Sequence, residues 1–78
     1  MSSSQNLILH TMDNCFCCNL MIKCLDELDI SYQVTVNNPE INAYPTLQLI
    51  TNNELTYEII GFTLETKQLI INNIKKQY

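Results

Sequence analysis

The chain of 78 residues has no Arg, one Gly and one Ala, and its four Lys face eight acidic residues. Three of those Lys fall in the last twelve positions, and the net charge is −4. Without a basic face, nucleic-acid binding is not expected. No apolar run approaches the roughly 20 residues that cross a bilayer, so no membrane span is expected. The start, Met1-Ser2-Ser3-Ser4-Gln5-Asn6, has neither the basic region nor the long apolar stretch of a secretory signal. A reducing, cytoplasmic compartment follows as the expectation. Abundant Ile and Asn beside absent Arg fit an AT-rich coding genome, such as that of a virus or parasite; for a viral protein the compartment would be the host cytoplasm.

What is present is a globular composition, 46% apolar. It suffices for a single domain, residues 1–78 with a flexible tail at 1–5. A chain this short buries roughly 60% of its unfolded surface, so its stability is modest. Three of its four cysteines lie in one stretch, Asn14-Cys15-Phe16-Cys17-Cys18. In a reducing compartment clustered cysteines are catalytic or metal-binding more often than structural.

Leu7-Ile8-Leu9 reads as a central strand over 6–11. Thr11 to Asn14 form a turn in which Asp13 or Asn14 caps the next helix. From Cys15 to about Leu28, Cys18, Met21, Ile22 and Leu25 recur on one helical face, opposite Asn19, Lys23, Asp26 and Glu27. Ile30, Tyr32, Val34 and Val36 alternate with Ser31, Gln33 and Thr35 as a strand, which Asn37-Asn38-Pro39 ends. A third strand spans Thr46 to Thr51. Asn52-Asn53 make a tight turn, since Asn tolerates left-handed dihedrals, and a fourth strand includes Leu55, Tyr57 and Ile59. Gly61-Phe62-Thr63 turn again, with Thr63 as N-cap of a helix over about 64–76. Its inner face is Leu69, Ile70 and Ile74, and Lys75 and Lys76 suit its dipole. The order is β-α-β-β-β-α.

This chain resembles the thioredoxin fold in its short, glutaredoxin-like form. The resemblance rests on three pieces: an apolar strand followed by Thr11 and Cys15-x-x-Cys18 opening a helix, Tyr44-Pro45-Thr46 at the start of a strand, and Gly61-Phe62 before the last helix. It implies an α/β fold with a four-stranded mixed sheet and two helices packed on one face. It also implies a cis Tyr44–Pro45 bond. Gly61-Phe62 is similar to the Gly-Phe of redoxins serving ribonucleotide reductase. The family's helix between the second and third strands has no room in residues 37–44. The gap to be bridged is roughly 10 Å, two strand spacings, which eight residues span. The polar sets Ser31, Gln33, Thr35, then Thr46, Gln48, then Thr56, Glu58 give most strands one face fit for water, as an antiparallel sheet allows. Two layers are expected. The chain departs from glutaredoxins in having Phe16-Cys17 between the cysteines and Met12-Asp13 where a lysine is common. Gly61-Phe62-Thr63-Leu64 also does not reproduce the Gly-Gly-x-Asp contacts to glutathione.

The chemistry implied is thiol–disulfide exchange: Cys15 attacks and Cys18 resolves the mixed disulfide. A thiol at a helix N-terminus has its pKa lowered from about 8.5; Asp13 would oppose this if it pointed at the sulfur. Two buried helix cysteines are the plainer alternative. Cys17 reads as an exposed bystander, an alternative resolving thiol or a regulatory oxidation site, and Cys24 as a core residue. Pro45 and the Tyr44 backbone would receive a client chain by strand addition, with Phe16, Tyr44, Gly61 and Phe62 around the site; Phe62 reads equally as core. His10 reads as a packed or half-exposed strand histidine, in preference to a ligand or a base. No cofactor or metal is expected. The partners implied are a client protein disulfide, with ribonucleotide reductase a candidate, and thioredoxin reductase or glutathione as electron donor. A monomer is expected, with the uncovered sheet face available for weak dimerisation. The competing functions are a thiolate metal or iron–sulfur module, two chains sharing the ion or cluster, and a redox-inactive adaptor or virion component.

Overall fold

The computed structural model of the chain describes residues 4–76. Strand β1 (Gln5–Thr11) leads to helix α1 (Phe16–Glu27), strand β2 (Gln33–Val36), strand β3 (Thr46–Thr51), strand β4 (Glu54–Ile60) and helix α2 (Thr66–Ile70). Helix α2 continues as a wider π-helical segment, Ile71–Lys75. The sheet order is β2-β1-β3-β4; β1 and β2 run parallel and the other pairs antiparallel. Residues 37–45 form a loop without a helix. Of the tail expected at 1–5, residues 1–3 lie outside the described residues. Gln5 already belongs to β1, and Ser4 exchanges hydrogen bonds with Asn52.

The register explains the layering. Leu9 pairs with Leu47, and Leu47 with Ile59; Leu7 pairs with Leu49, and Leu49 with Tyr57. Paired residues share a sheet face, and alternate residues of a strand do too. These side chains therefore form one apolar face. Met21, Cys24 and Leu25 of α1, with Ile70 and Ile74 of the last helix, close over it. Each fully buried Leu or Ile contributes about 1.5–3 kcal/mol. The 3.6-residue spacing of Cys18, Met21 and Leu25 put them on this buried face, as expected.

The opposite face is open and polar. Thr35, His10, Gln48 and Glu58 lie on this face, one on each strand, and are hydrogen-bonded end to end, with His10, opposite Thr46, reaching diagonally to Gln48. His10 Nδ1 meets Thr35 Oγ1 at 2.6 Å, His10 Nε2 meets Gln48 Oε1 at 2.7 Å, and Gln48 Nε2 donates to Glu58 Oε2 at 2.8 Å. An ionised carboxylate only accepts, so Glu58 orients the Gln48 amide. That amide then presents its oxygen to His10, which must carry its proton on Nε2. Though buried, the imidazole has both nitrogens partnered.

Five local expectations change. Val34 and Val36 are exposed, because β2 is an edge strand and the helices do not reach over it. Regular β2 begins at Gln33, although Ile30 is buried. Leu69 lies at the margin of the last helix; the buried Thr66 joins Ile70 and Ile74 inside. Lys75 serves the other helix: its Nζ donates to the Leu28 carbonyl at the C-terminal end of α1, at 2.7 Å. Glu65, not the expected Thr63, is the N-cap residue of α2, and Thr63 lies in the turn two residues before it. The Thr63 hydroxyl accepts the Glu65 N–H while Thr66 Oγ1 accepts the Thr63 N–H, a reciprocal exchange of the capping-box type.

The turn Asn52-Asn53 has φ of 53° and 68°, the left-handed pair that a two-residue hairpin matching the sheet twist requires. Asn53→Ala is expected to lower stability by about 1 kcal/mol. In a domain of this size that is a loss of roughly 4–8 °C in Tm, with Asn53→Gly restoring it. Equal Tm values for Ala and Asn at position 53 would show that the turn does not hold this geometry.

Candidate functional site

Extending the strand registers by one residue defines the site. Thr11 ends β1 and pairs with Val36 of β2. On its other side the β1–β3 register brings Pro45 opposite Thr11, and the β3–β4 register brings Gly61 opposite Pro45. Val36, Thr11, Pro45 and Gly61 thus form one row along a single end of the sheet. The separate motifs converge there. The Tyr44–Pro45 bond is cis, as the resemblance implied, and Pro45 is fully buried. The Gly61 N–H donates to the Pro45 carbonyl at 2.7 Å. Gly61 has φ +81°, a conformation glycine adopts without strain.

From Thr11 the chain turns through Met12, Asp13 and Asn14, the last with φ 57°. Asn37 braces this turn. Its N–H donates to the Thr11 carbonyl, its Oδ1 accepts the Asp13 N–H, and its Nδ2 donates to Asp13 Oδ2 at 3.1 Å. The Asp13 carboxylate is thereby held by Asn37. The sequence marked Asn37 only as a strand breaker; its sole advance signal was an Asn just past a strand end, where left-handed geometry is common.

The cap of α1 is Cys15 itself, not Asp13 or Asn14. Its backbone is extended, and its Sγ accepts the Cys18 N–H at 3.1 Å. Cys15 and Cys18 are joined as a disulfide, with Cα atoms 5.2 Å apart. Cys18 is buried and Cys15 half-buried. One turn of helix therefore separates a half-buried cysteine from a buried one. As a free thiolate, Cys15 would accept the same N–H as a stronger, charge-assisted hydrogen bond.

Cys17, at the same turn, is an exposed free thiol, while Cys24 is buried in the core. Burial pushes the Cys24 thiol above its usual pKa; Glu27 adds to this and Lys67 opposes it. A neutral-pH alkylating agent should therefore modify Cys17 of the oxidised protein and spare Cys24, giving one added label by mass. Rapid addition of two would mean that the core opens readily. Among the described residues, no three His, Cys, Asp or Glu side chains converge as a metal ion would need, and no helix is long and apolar enough to cross a membrane.

The aromatic residues divide. Phe16 is 75% exposed beside Cys15. Tyr44 is half-buried, its hydroxyl donating to the Asn38 carbonyl at 2.6 Å. Phe62 packs against the core. Other apolar side chains exposed at this end are Met12, Val36, Ile60 and Leu64; strand alternation gave no hint of these.

Solved structures with the same architecture include thioredoxin f from spinach chloroplast in its short form (TM-score 0.74, 15% identity), covering 96% of this chain and 77% of that one. The fold is the thioredoxin fold. Reduced Schistosoma mansoni thioredoxin pre-protein is similar too, with TM-score 0.71 and 20% identity over 95% of this chain and 79% of that one. So is oxidised Arabidopsis thaliana thioredoxin O2, with TM-score 0.70 and 19% identity over 88% and 74%. No protein-family model matches the chain, and no curated protein matches it in sequence. The cysteine pair thus opens the first helix of a thioredoxin fold, with a cis proline on the adjoining loop.

Proposed function

We propose that the chain is a dithiol–disulfide oxidoreductase acting on protein disulfides. The observation that carries this reading is the Cys15–Cys18 disulfide, with Cys15 half-buried at the cap of α1 and Cys18 buried one turn on. In the reduced protein the Cys15 thiolate attacks one sulfur of a client disulfide. The client's S–S bond breaks, its other sulfur leaves as a thiolate, and a mixed disulfide forms. The Cys18 thiolate then attacks Cys15 Sγ and expels the second client sulfur. The client gains two electrons and the protein loses two, ending in the observed disulfide. An external reductant closes the cycle: thioredoxin reductase or glutathione. Ribonucleotide reductase is one client class, on the Gly61-Phe62 resemblance.

Phe16 and Tyr44, with Pro45, Gly61 and Phe62 behind them, offer the surface a client would meet. The metal reading has less support. It needs three thiolates on one ion, whereas α1 places Cys17 in solvent and Cys18 in the core.

The deciding assay is reduction of a protein disulfide such as that of insulin by dithiothreitol, with and without the protein. Acceleration at catalytic amounts is expected; none with any dithiol donor would remove the assignment and leave an adaptor on the same fold.

A further inference from the structure

Charge is distributed unevenly over this molecule. The segments that form the site end are 11–18, 36–46 and 58–65. They contain Asp13, Glu40, Glu58 and Glu65, all exposed, and no lysine. The other four acidic residues are matched in number by the four lysines, which all lie elsewhere. These segments therefore carry a formal charge of −4, and the lysine that follows them most closely, Lys67, is turned to Glu27, 3.9 Å away.

At that end a groove of about 210 Å³ lies between the 40–43 loop and the open face of β3 and β4. Ile41, Ala43 and Ile60 give it apolar walls, and Glu40 and Glu58 are its charged lining residues. It adjoins the row of site residues, since Thr46 and Ile60 are the strand pair next to Pro45 and Gly61. Its loop wall is built in. The Asn38 carbonyl receives the Tyr44 hydroxyl and the Ile41 N–H, Asn38 Oδ1 receives the Glu40 N–H, and Thr46 Oγ1 donates to the Ala43 carbonyl. Glu58 accepts one bond from Gln48, which leaves carboxylate capacity for another donor.

We infer that the client segment reaching the Cys15–Cys18 pair is basic, with a Lys or Arg side chain seated in this groove. This rests on the oxidoreductase reading and names its client chemistry. The aliphatic stem covers Ile41, Ala43 and Ile60, and the cationic head faces Glu40 and Glu58, as amphipathic side chains do on half-apolar surfaces. The surrounding negative field steers such a segment in and repels anionic thiols. Glutathione, with two carboxylates and one amine, is disfavoured as the bound partner by the same field.

The test uses two disulfide-bearing peptides, identical except for Lys or Glu flanking the reactive cysteine, in single-turnover reaction with the reduced protein. The Lys peptide is expected to react roughly tenfold or more faster at low salt, with the advantage shrinking as salt screens the field. Glu40→Gln should reduce that ratio, and Glu54→Gln, at the far hairpin, should leave it unchanged. In parallel, a cysteine-free Lys peptide should shift the NMR amide signals of Ile41, Ala43 and Ile60. Equal rates for the two peptides, with turnover intact, would overturn the basic-client inference while sparing the oxidoreductase. Amide shifts without any turnover would instead overturn the oxidoreductase and keep the groove's ligand. Concentration-dependent dimerisation shifting the same three signals would overturn the inference by giving the groove to a second copy.

Discussion

Cys15→Ser is expected to abolish disulfide reduction completely, because a serine oxygen cannot form the mixed disulfide on which both steps depend. Cys18→Ser should behave differently. Attack by Cys15 survives, but the resolving sulfur, which is part of the helix one turn away, is gone. Resolution then waits for an external thiol. An intramolecular group well placed for reaction exceeds a millimolar external one by large effective molarities, so steady-state turnover should fall by roughly 10²-fold or more. The client should accumulate on Cys15 and be recoverable by non-reducing electrophoresis and mass spectrometry. Cys17→Ser separates the remaining alternatives. Its thiol is exposed while Cys18 is buried, so turnover should be unchanged if Cys17 is a bystander. A slower release of mixed disulfide would give it a resolving role. Activity in Cys15→Ser would end the assignment of the nucleophile.

Much of this architecture was legible because period and punctuation agree. Three apolar residues in a row marked the central strand; a 3.6-residue spacing gave the buried face of α1; Asn52-Asn53 supplied both left-handed positions. The absent helix was legible too, since eight residues at 37–44 cannot form one and still cross to β3. What the sequence hid depends on neighbours it does not name. Alternation assigns Val34 and Val36 to faces, but only their place on an edge strand leaves them in solvent. Lys75 near a helix C-terminus suggested its own dipole, whereas the carbonyl it meets belongs to Leu28, 47 residues away. Cys15 as its own cap was hidden by two better capping residues just before it.

At the site the cysteines, Tyr44-Pro45 and Gly61 were marked individually; the row that unites them exists only through strand register. The charge asymmetry escaped notice for the same reason. Asp13, Glu40, Glu58 and Glu65 are scattered in sequence and come to one end only when β1, β3 and β4 align. Asn37, which holds the Asp13 carboxylate, is likewise invisible until β2 ends beside β1.

With two layers instead of three, the protein has a single apolar core, and Leu9→Ala should be among its costliest single changes. Leu9 is fully buried on the central strand, paired with Leu47 and covered by the helices. Truncation removes its transfer energy and leaves a cavity, a loss of about 2–5 kcal/mol. A domain of this length has about 4–12 kcal/mol in all, so the variant should show a large drop in denaturant midpoint and, at the upper end, a substantial unfolded population without denaturant. Ile60→Ala is the contrasting case. Ile60 is 60% exposed on the open face, where a third layer would have buried it, and its truncation should change stability by no more than about 0.5 kcal/mol. Comparable losses from the two substitutions, read from urea unfolding at constant slope, would mean that the open face is covered in solution, by another copy or by a segment folded back onto it. Only the unequal result is compatible with a core on one side of the sheet and water on the other.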